Sequence, residues 1–380
     1  MTPETVFTNV LLVLPDAVLH GTLVVRDGRI AEVQPGLSGL PGAIDCDGDH
    51  IIPGVVDVHT DNLERQVQPR ANARWPSRSA LLAHDAQCAA AGVTTVLDAL
   101  CLGDLGFDAG RGQTFREGVA DLTALVPTGL LKAEHFLHLR CELPAVDMVD
   151  AVETVADHPL VRMASLMDHS PGVGQYRDLA RYRVLRQRQQ QMSDAQVDQR
   201  IAELLERRER LREPQRRWLL DRIAHRALPL ASHDDDDAAE VARNAADGIR
   251  ISEFPVTMEA AQAARDIGVA VIAGAPNIVR GGSHSGNVAA ADLIRAGAVD
   301  ALASDYVPAA LVEAAWACAA VAGISLPAAV AMVTDCPARM AGLADRGRIA
   351  PGLRADLVRL RPLEGLPMVR EVWRGGDRVA

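Results

Sequence analysis

Residues 51–306 repeat one pattern: a short apolar run, a polar residue at its end, then a longer stretch with helical spacing. Eight such runs stand out: IIPGVVDVH, TTVLDAL, HFLHLRCEL, VRMASLMDH, LPLASHD, GIRISEFP, VAVIAGAP and DALASDY. Runs of this length rich in Val, Ile and Leu predict strands buried on both faces, and Ala-rich segments such as SRSALLAHDAQCAAAG predict the helices between them. Alternation of this kind calls for a parallel sheet with crossover helices, and eight units predict a (β/α)8 barrel of the TIM type. The chain ends differ. GTLVVRDGRI, with Asp27-Gly28 as its turn, reads as a hairpin, and RGRIAPGLRADLVRL with MVREVWRGGDRVA has the same β character. We expect a small β-sandwich from residues 1–50 and 343–380, and the barrel over 51–342.

One segment interrupts the rhythm. Residues 176–226 are rich in Arg and Gln and hold no strand pattern. Met192-Ser193-Asp194 predicts a capped helix that breaks at Pro214 and resumes, a solvated hairpin serving as a lid or an oligomer contact. Acidic residues interleave with the arginines there, which argues against nucleic acid.

The composition narrows the setting. The 380 residues are 48% hydrophobic and 23% charged, with a net charge of -11, and Lys132 is the only lysine. A chain of that charge is no general binder of nucleic acid or of anionic membrane surfaces. The six cysteines form no CxxC pair, and no apolar run reaches membrane-spanning length, so free thiols in a reducing cytoplasm are expected.

Chemistry gathers at the strand ends, where such barrels keep their active sites. Within VDVHTDN, His59 and Asp61 share a strand face at i and i+2, an ordinary ligand pair for zinc, manganese or iron. In HFLHLRCEL, Glu142 emerges at the upper end and could bridge two ions, while His138 and Arg140 read as packed barrel filling. Lys132 lies ten residues earlier, roughly 30 Å along an extended chain, too low to be a ligand. His169, next to Asp168, and His233 end the fourth and fifth strands; Asp235 to Asp237 start a helix. Asp305 closes the series as a ligand and a base for metal-bound water. GAPNIVRGGSHSGN offers a phosphate grip: Arg280, backbone N–H groups at Gly281 and Gly282, and the side chains of Ser283 and Asn287. His284 there could be a ligand or a general acid for a leaving group. Arg70 and Arg74 add positive charge above the first strand.

With these motifs in order, the chain resembles the amidohydrolase superfamily over nearly its whole length. PGVVDVHTDNLERQVQPR, LMDHSPGVGQYRD, EFPVT and GAPNIVRGGSHSGN narrow the likeness to its phosphonate-metabolism branch, the diphosphatases of the carbon–phosphorus lyase pathway. The resemblance implies a cytoplasmic enzyme, a homodimer, that cleaves α-D-ribose 1-methylphosphonate 5-triphosphate to the 5-phosphate and pyrophosphate. It implies two divalent ions, the first on His59, Asp61 and Glu142, the second on Glu142, His169 and His233. Asp305 would activate the water, and Asn62, Arg70, Arg74, Arg280, Gly281, Gly282, Ser283, His284 and Asn287 would meet the substrate. Asp61 stands where the superfamily commonly has a second histidine. The other readings are hydrolysis of a cyclic amide or N-acyl substrate, which has no use for the anion grip of the Arg280 loop, and a metal-free scaffold protein.

Overall fold

The computed structural model describes residues 4–70, 73–106, 110–190, 192–283 and 286–380, with residues 188–190 described in their backbone alone. The eight expected strands all form: β1 (Val55–Thr60), β2 (Val93–Leu102), β3 (Glu134–Glu142), β4 (Val161–Met167), β5 (Leu230–His233), β6 (Ile251–Glu253), β7 (Ala270–Gly274) and β8 (Ala301–Ala303). They pair in parallel in chain order, and a bridge between Thr60 and Asp305 joins the first strand to the segment after the last. Every residue of β2 is buried, as a strand with a packed barrel inside and helices outside requires. Val56, Val58, Leu97, Met163, Ile251 and Ile272 fill the barrel interior. Each such side chain contributes roughly 1.5–3 kcal/mol by leaving water.

The terminal segments fold into one further eight-stranded sheet around Phe7, Leu12, Leu23, Ile51, Leu357 and Trp373. His50–Pro53 lies within it, antiparallel to Leu357–Leu363, so the sheet runs a few residues past the expected boundary. Asp49, 1% exposed, accepts from Arg359 at 2.6 Å and from Arg370 at 3.2 Å, and also pairs with Arg361. One buried carboxylate thus ties the two chain ends together.

The insertion departs from expectation. It consists of a helix Leu179–Gln190 and a single 30-residue helix Asp194–Ile223. Ser193 caps the second, accepting from Gln196 N while Gln196 Oε1 accepts from Ser193 N at 2.8 Å. Pro214 does not break it. An interior proline costs about 3 kcal/mol, but Gln215 donates to the Leu143 and Ala145 carbonyls, and Leu204, Leu219 and Ile223 join the core beside β3. The segment is also less solvated than its charge suggests: Arg212 and Arg216 are buried, and Asp168 accepts from Arg208 at 2.6 Å and from Arg212 at 3.0 Å. Packing on the barrel, rather than propensity, keeps it helical.

Candidate metal centre

Three strands end in a left-handed residue: Asp234 after β5, Phe254 after β6 and Asp305 after β8, with φ of 58°, 55° and 55°. Such a conformation costs a non-glycine residue roughly 1–2 kcal/mol. Each residue still keeps a ladder bond, Asp234 N to Glu253 O at 2.9 Å, Phe254 N to Ile272 O at 2.8 Å and Asp305 N to His59 O at 3.0 Å. The turn has a geometric result at β5. Successive strand residues normally face opposite ways, yet His233 and Asp234 both offer atoms to one group.

Among the described residues, four groups of possible ligands have their atoms within 4.8 Å of one another. His59 with His138 and Glu253, and His84 with Asp98 and His135, are wholly buried. The other two groups, His59, Asp61 and Asp305, and His169, His233 and Asp234, have most of their members on the main cavity. Nε2 of His59 lies 3.8 Å from Asp61, and Nε2 of His169 and His233 lie 3.7 and 3.8 Å from Asp234 Oδ2. The His59 and His233 rings are 5.6 Å apart, so the groups adjoin. Buried polar atoms are nearly always paired, yet His59 Nε2 and Asp234 Oδ2 are buried and make no hydrogen bond. Imidazole nitrogens and carboxylate oxygens left open in this way fit a divalent cation.

The opposite ring nitrogens are held from behind. Glu142 accepts from His169 N at 2.8 Å and from His169 Nδ1 at 2.5 Å. Glu253 Oε1 stands 3.1 Å from His59 Nδ1. Burial alone would push both carboxyls up, but the neighbouring imidazoles hold Glu142 below its ordinary value and Glu253 well below it. Asp305 behaves oppositely: burial, then the charge of Asp61, pushes it up to about 6.

The other predicted site residues divide. Glu142 was expected to bridge; its two oxygens are directed at His169, and it is in neither group. Arg140, read as barrel filling, pairs with Asp61 and reaches the cavity. Asn62 is buried away from the cavity, its Nδ2 2.9 Å from His84 Nδ1 and 2.9 Å from Gln87 Oε1. Arg74 pairs with Glu117 at 2.6 Å and Thr114 at 2.9 Å, and neither it nor Arg70 lines the cavity. Gly281 N and Gly282 N donate to Ile278 O and Asn277 O, ending the short helix Ala275–Val279, so those N–H groups are already used. Arg280, Ser283 and Asn287 do line the cavity, and His284 lies outside the described residues. Lys132 donates to Val379 O, among the terminal strands. Asp98, which also ends a run, sits between His84 and His135 at 2.7 and 2.8 Å in a fully buried network. Asp234 was missed because it opens a run of four aspartates, of which Asp237 caps a helix and Asp235 accepts from Ser232 and Ser252.

A cavity of about 280 Å³ joins these parts. His59, Asp61, Arg140, His233, Asp234 and Asp305 line it together with Arg280, Ser283, Asn287, Phe254 and Pro276. One space thus holds carboxylates and imidazoles together with guanidinium and amide donors, a lining suited to a small anionic molecule.

Comparison with known proteins agrees with this layout. A protein of Escherichia coli K12 named alpha-D-ribose 1-methylphosphonate 5-triphosphate diphosphatase is 42% identical over 376 residues, 98% of this chain and 100% of that one. Among solved structures, N-acetyl-D-glucosamine-6-phosphate deacetylase from Mycobacterium smegmatis superposes with a TM-score of 0.64 at 17% identity, covering 99% of this chain and 100% of that one. N-isopropylammelide isopropylaminohydrolase from Burkholderia multivorans gives 0.61 at 19% identity, covering 100% and 98%; at such identities the likeness is one of fold. The model of the amidohydrolase family matches residues 79–380. A match over most of the barrel, and a relative so similar along nearly the full length, establish that the chain belongs to the amidohydrolase family.

Proposed function

We propose that this protein is a metal-dependent diphosphatase that hydrolyses α-D-ribose 1-methylphosphonate 5-triphosphate to the 5-phosphate and pyrophosphate. The near-full-length likeness to the E. coli diphosphatase carries this reading. The cavity supports it, because a triphosphate needs both cation-binding groups and a basic one, whereas a neutral amide has no use for Arg280.

The residues fit two divalent ions, zinc or manganese/iron, one on His59, Asp61 and Asp305 and one on His169, His233 and Asp234. Bound there, the ions would polarise phosphoryl oxygens and acidify a water. Asp305 takes the proton of the attacking water as it adds in line to the phosphorus nearest the ribose. Water adds to phosphorus, the bond to the bridging oxygen breaks, and pyrophosphate leaves. Arg280 meets the charge of the departing group, Ser283 and Asn287 donate to its oxygens, and His284 gives it a proton. Arg140, beside Asp61, offsets the carboxylates so that a polyanion can approach.

The same reading places the enzyme in the cytoplasm as a homodimer, with its six cysteines free as in the structure. Among the described residues no helix is long and apolar enough to cross a membrane. Phosphorus NMR of purified protein with the ribose triphosphate tests the reaction. Pyrophosphate and the 5-phosphate should appear together; release of orthophosphate instead, or no turnover with either zinc or manganese, would refute it.

A further inference from the structure

We propose that Glu253 is a positioning residue that holds one histidine of each ligand group, so that a single carboxylate sets up both ion sites. The inference rests on the metal-dependent reading above and deepens it.

The side chain of Glu253 is wholly buried at the end of β6 and faces two rings. Oε1 is 3.1 Å from His59 Nδ1, within hydrogen-bond distance, and Oε2 is 3.5 Å from His233 Nδ1, a buried nitrogen that makes no hydrogen bond and has this carboxylate oxygen beside it. Ser165 of β4 donates to Oε2 at 2.5 Å, and His138 on β3 stands 3.9 Å from the same oxygen. His138 is itself fixed, with Nδ1 2.8 Å from Val58 O and Nε2 against Ser165. The carboxylate therefore sits at the hub of contacts from β1, β3, β4 and β5 and has little freedom to move.

The consequence follows from imidazole chemistry. A neutral ring carries one N–H, and a ligand must present a bare nitrogen. With Nδ1–H directed at Glu253, His59 and His233 each present an unprotonated Nε2 on the cavity side. Those are the atoms that lie 3.8 Å from Asp61 and 3.8 Å from Asp234. His169 has a separate partner, Glu142, so it serves as an internal comparison. Glu253 is unusual in serving two rings from different groups, the two stacked at 21° and 5.6 Å apart.

A carboxylate has acceptors for both rings; a carboxamide has one acceptor and one donor. In Glu253→Gln, one ring keeps Nδ1–H toward the amide oxygen. The other must accept from the amide NH2, which moves its own proton to Nε2 and closes it as a ligand. Apoprotein titrated with zinc alone, followed by calorimetry, should show two tight equivalents in the wild type. Glu253→Gln should show one tight equivalent and one weakened about 10- to 100-fold or more, the scale typical for loss of such a carboxylate. Two equivalents as tight as in the wild type would overturn the proposal, as would equal weakening of both. Nitrogen NMR of the wild-type apoprotein reads the tautomers without any metal, and stands even if the variant does not fold. Both His59 and His233 should be in the Nδ1–H form, and either ring in the Nε2–H form would overturn the assignment. A wild type that binds fewer than two ions, yet shows both rings as Nδ1–H, would count against the two-ion reading and leave the role of Glu253 standing.

Discussion

Asp305, half-buried at the cavity, and His135, fully buried, are ionisable residues whose surroundings give them opposite tasks. Asp305 is raised to about 6 by burial and by Asp61, which suits a group that must hold and release a proton near neutrality. Asp305→Asn keeps an oxygen for the cation but cannot accept the proton. Turnover should fall roughly 10²- to 10⁴-fold, followed as pyrophosphate release, with metal content per chain unchanged. An Asn variant that remains fully active would remove Asp305 from the role of base. His135 belongs to the buried network with Asp98 at 2.8 Å and Asp85 at 3.2 Å. Burial alone would lower it, but the two carboxylates outweigh that and raise it to about 9. A group raised from 6.5 to about 9 contributes its full stability below about pH 6.5 and loses it as pH climbs through 9. That contribution is about 3 kcal/mol at most. Denaturant unfolding at pH 6.5 and 9.5 should show the drop, and His135→Gln should flatten it while being less stable at pH 6.5.

At the scale of elements, the helical insertion is where pattern and packing disagreed. Charge density and Pro214 in the sequence suggested a solvated, broken hairpin, whereas the helix Asp194–Ile223 lays Leu204, Leu219 and Ile223 on the barrel. Two of its arginines, Arg212 and Arg208, hold Asp168, one residue before His169. The insertion therefore fixes the segment that carries a candidate ligand. Arg212→Met removes one of two arginines from Asp168 and from Glu240, with Arg208 and Arg243 remaining, which should cost about 1–3 kcal/mol. Limited proteolysis should then cut within residues 176–226 before the rest of the chain, and unchanged resistance would argue that the pairing is dispensable. Pro214→Ala restores an N–H inside a helix that already runs unbroken from Asp194 to Ile223. Its thermal midpoint should rise, because roughly 3 kcal/mol of interior-proline cost is relieved in whole or in part.

For the whole molecule, the candidate ligands come from four places far apart in sequence, the ends of β1, β4, β5 and β8. An ion that binds the folded chain and not the unfolded one stabilises it by mass action, about 4 kcal/mol at a thousandfold excess over Kd. Chelation should therefore lower the thermal midpoint by several degrees, and zinc or manganese should restore it. Calorimetry before and after chelation reads this, and an unchanged midpoint would show that these residues hold no stabilising cation. The terminal sheet should unfold with the barrel, since Asp49 and its arginines join both ends and His50–Pro53 runs directly into β1.

The fold was legible because eight apolar runs at regular spacing admit few other arrangements, and because polar residues fell at the same end of each run. His59, Asp61, His169, His233 and Asp305 could be named from the sequence for that reason: position on a strand fixes which end of the barrel a residue reaches. What the side chains do there was not legible. Period-two alternation could not show that Asp234 turns left-handed and joins His233, since that backbone is held by a ladder bond to Glu253 O on another strand. Nor could it show that Glu142 and Glu253 back the histidines rather than face the cavity, because that depends on distances across the barrel set by strands far apart in the chain. Strand order along the sequence determined where chemistry gathers; the register and tilt of those strands, fixed only when the core packs, decided which atoms meet.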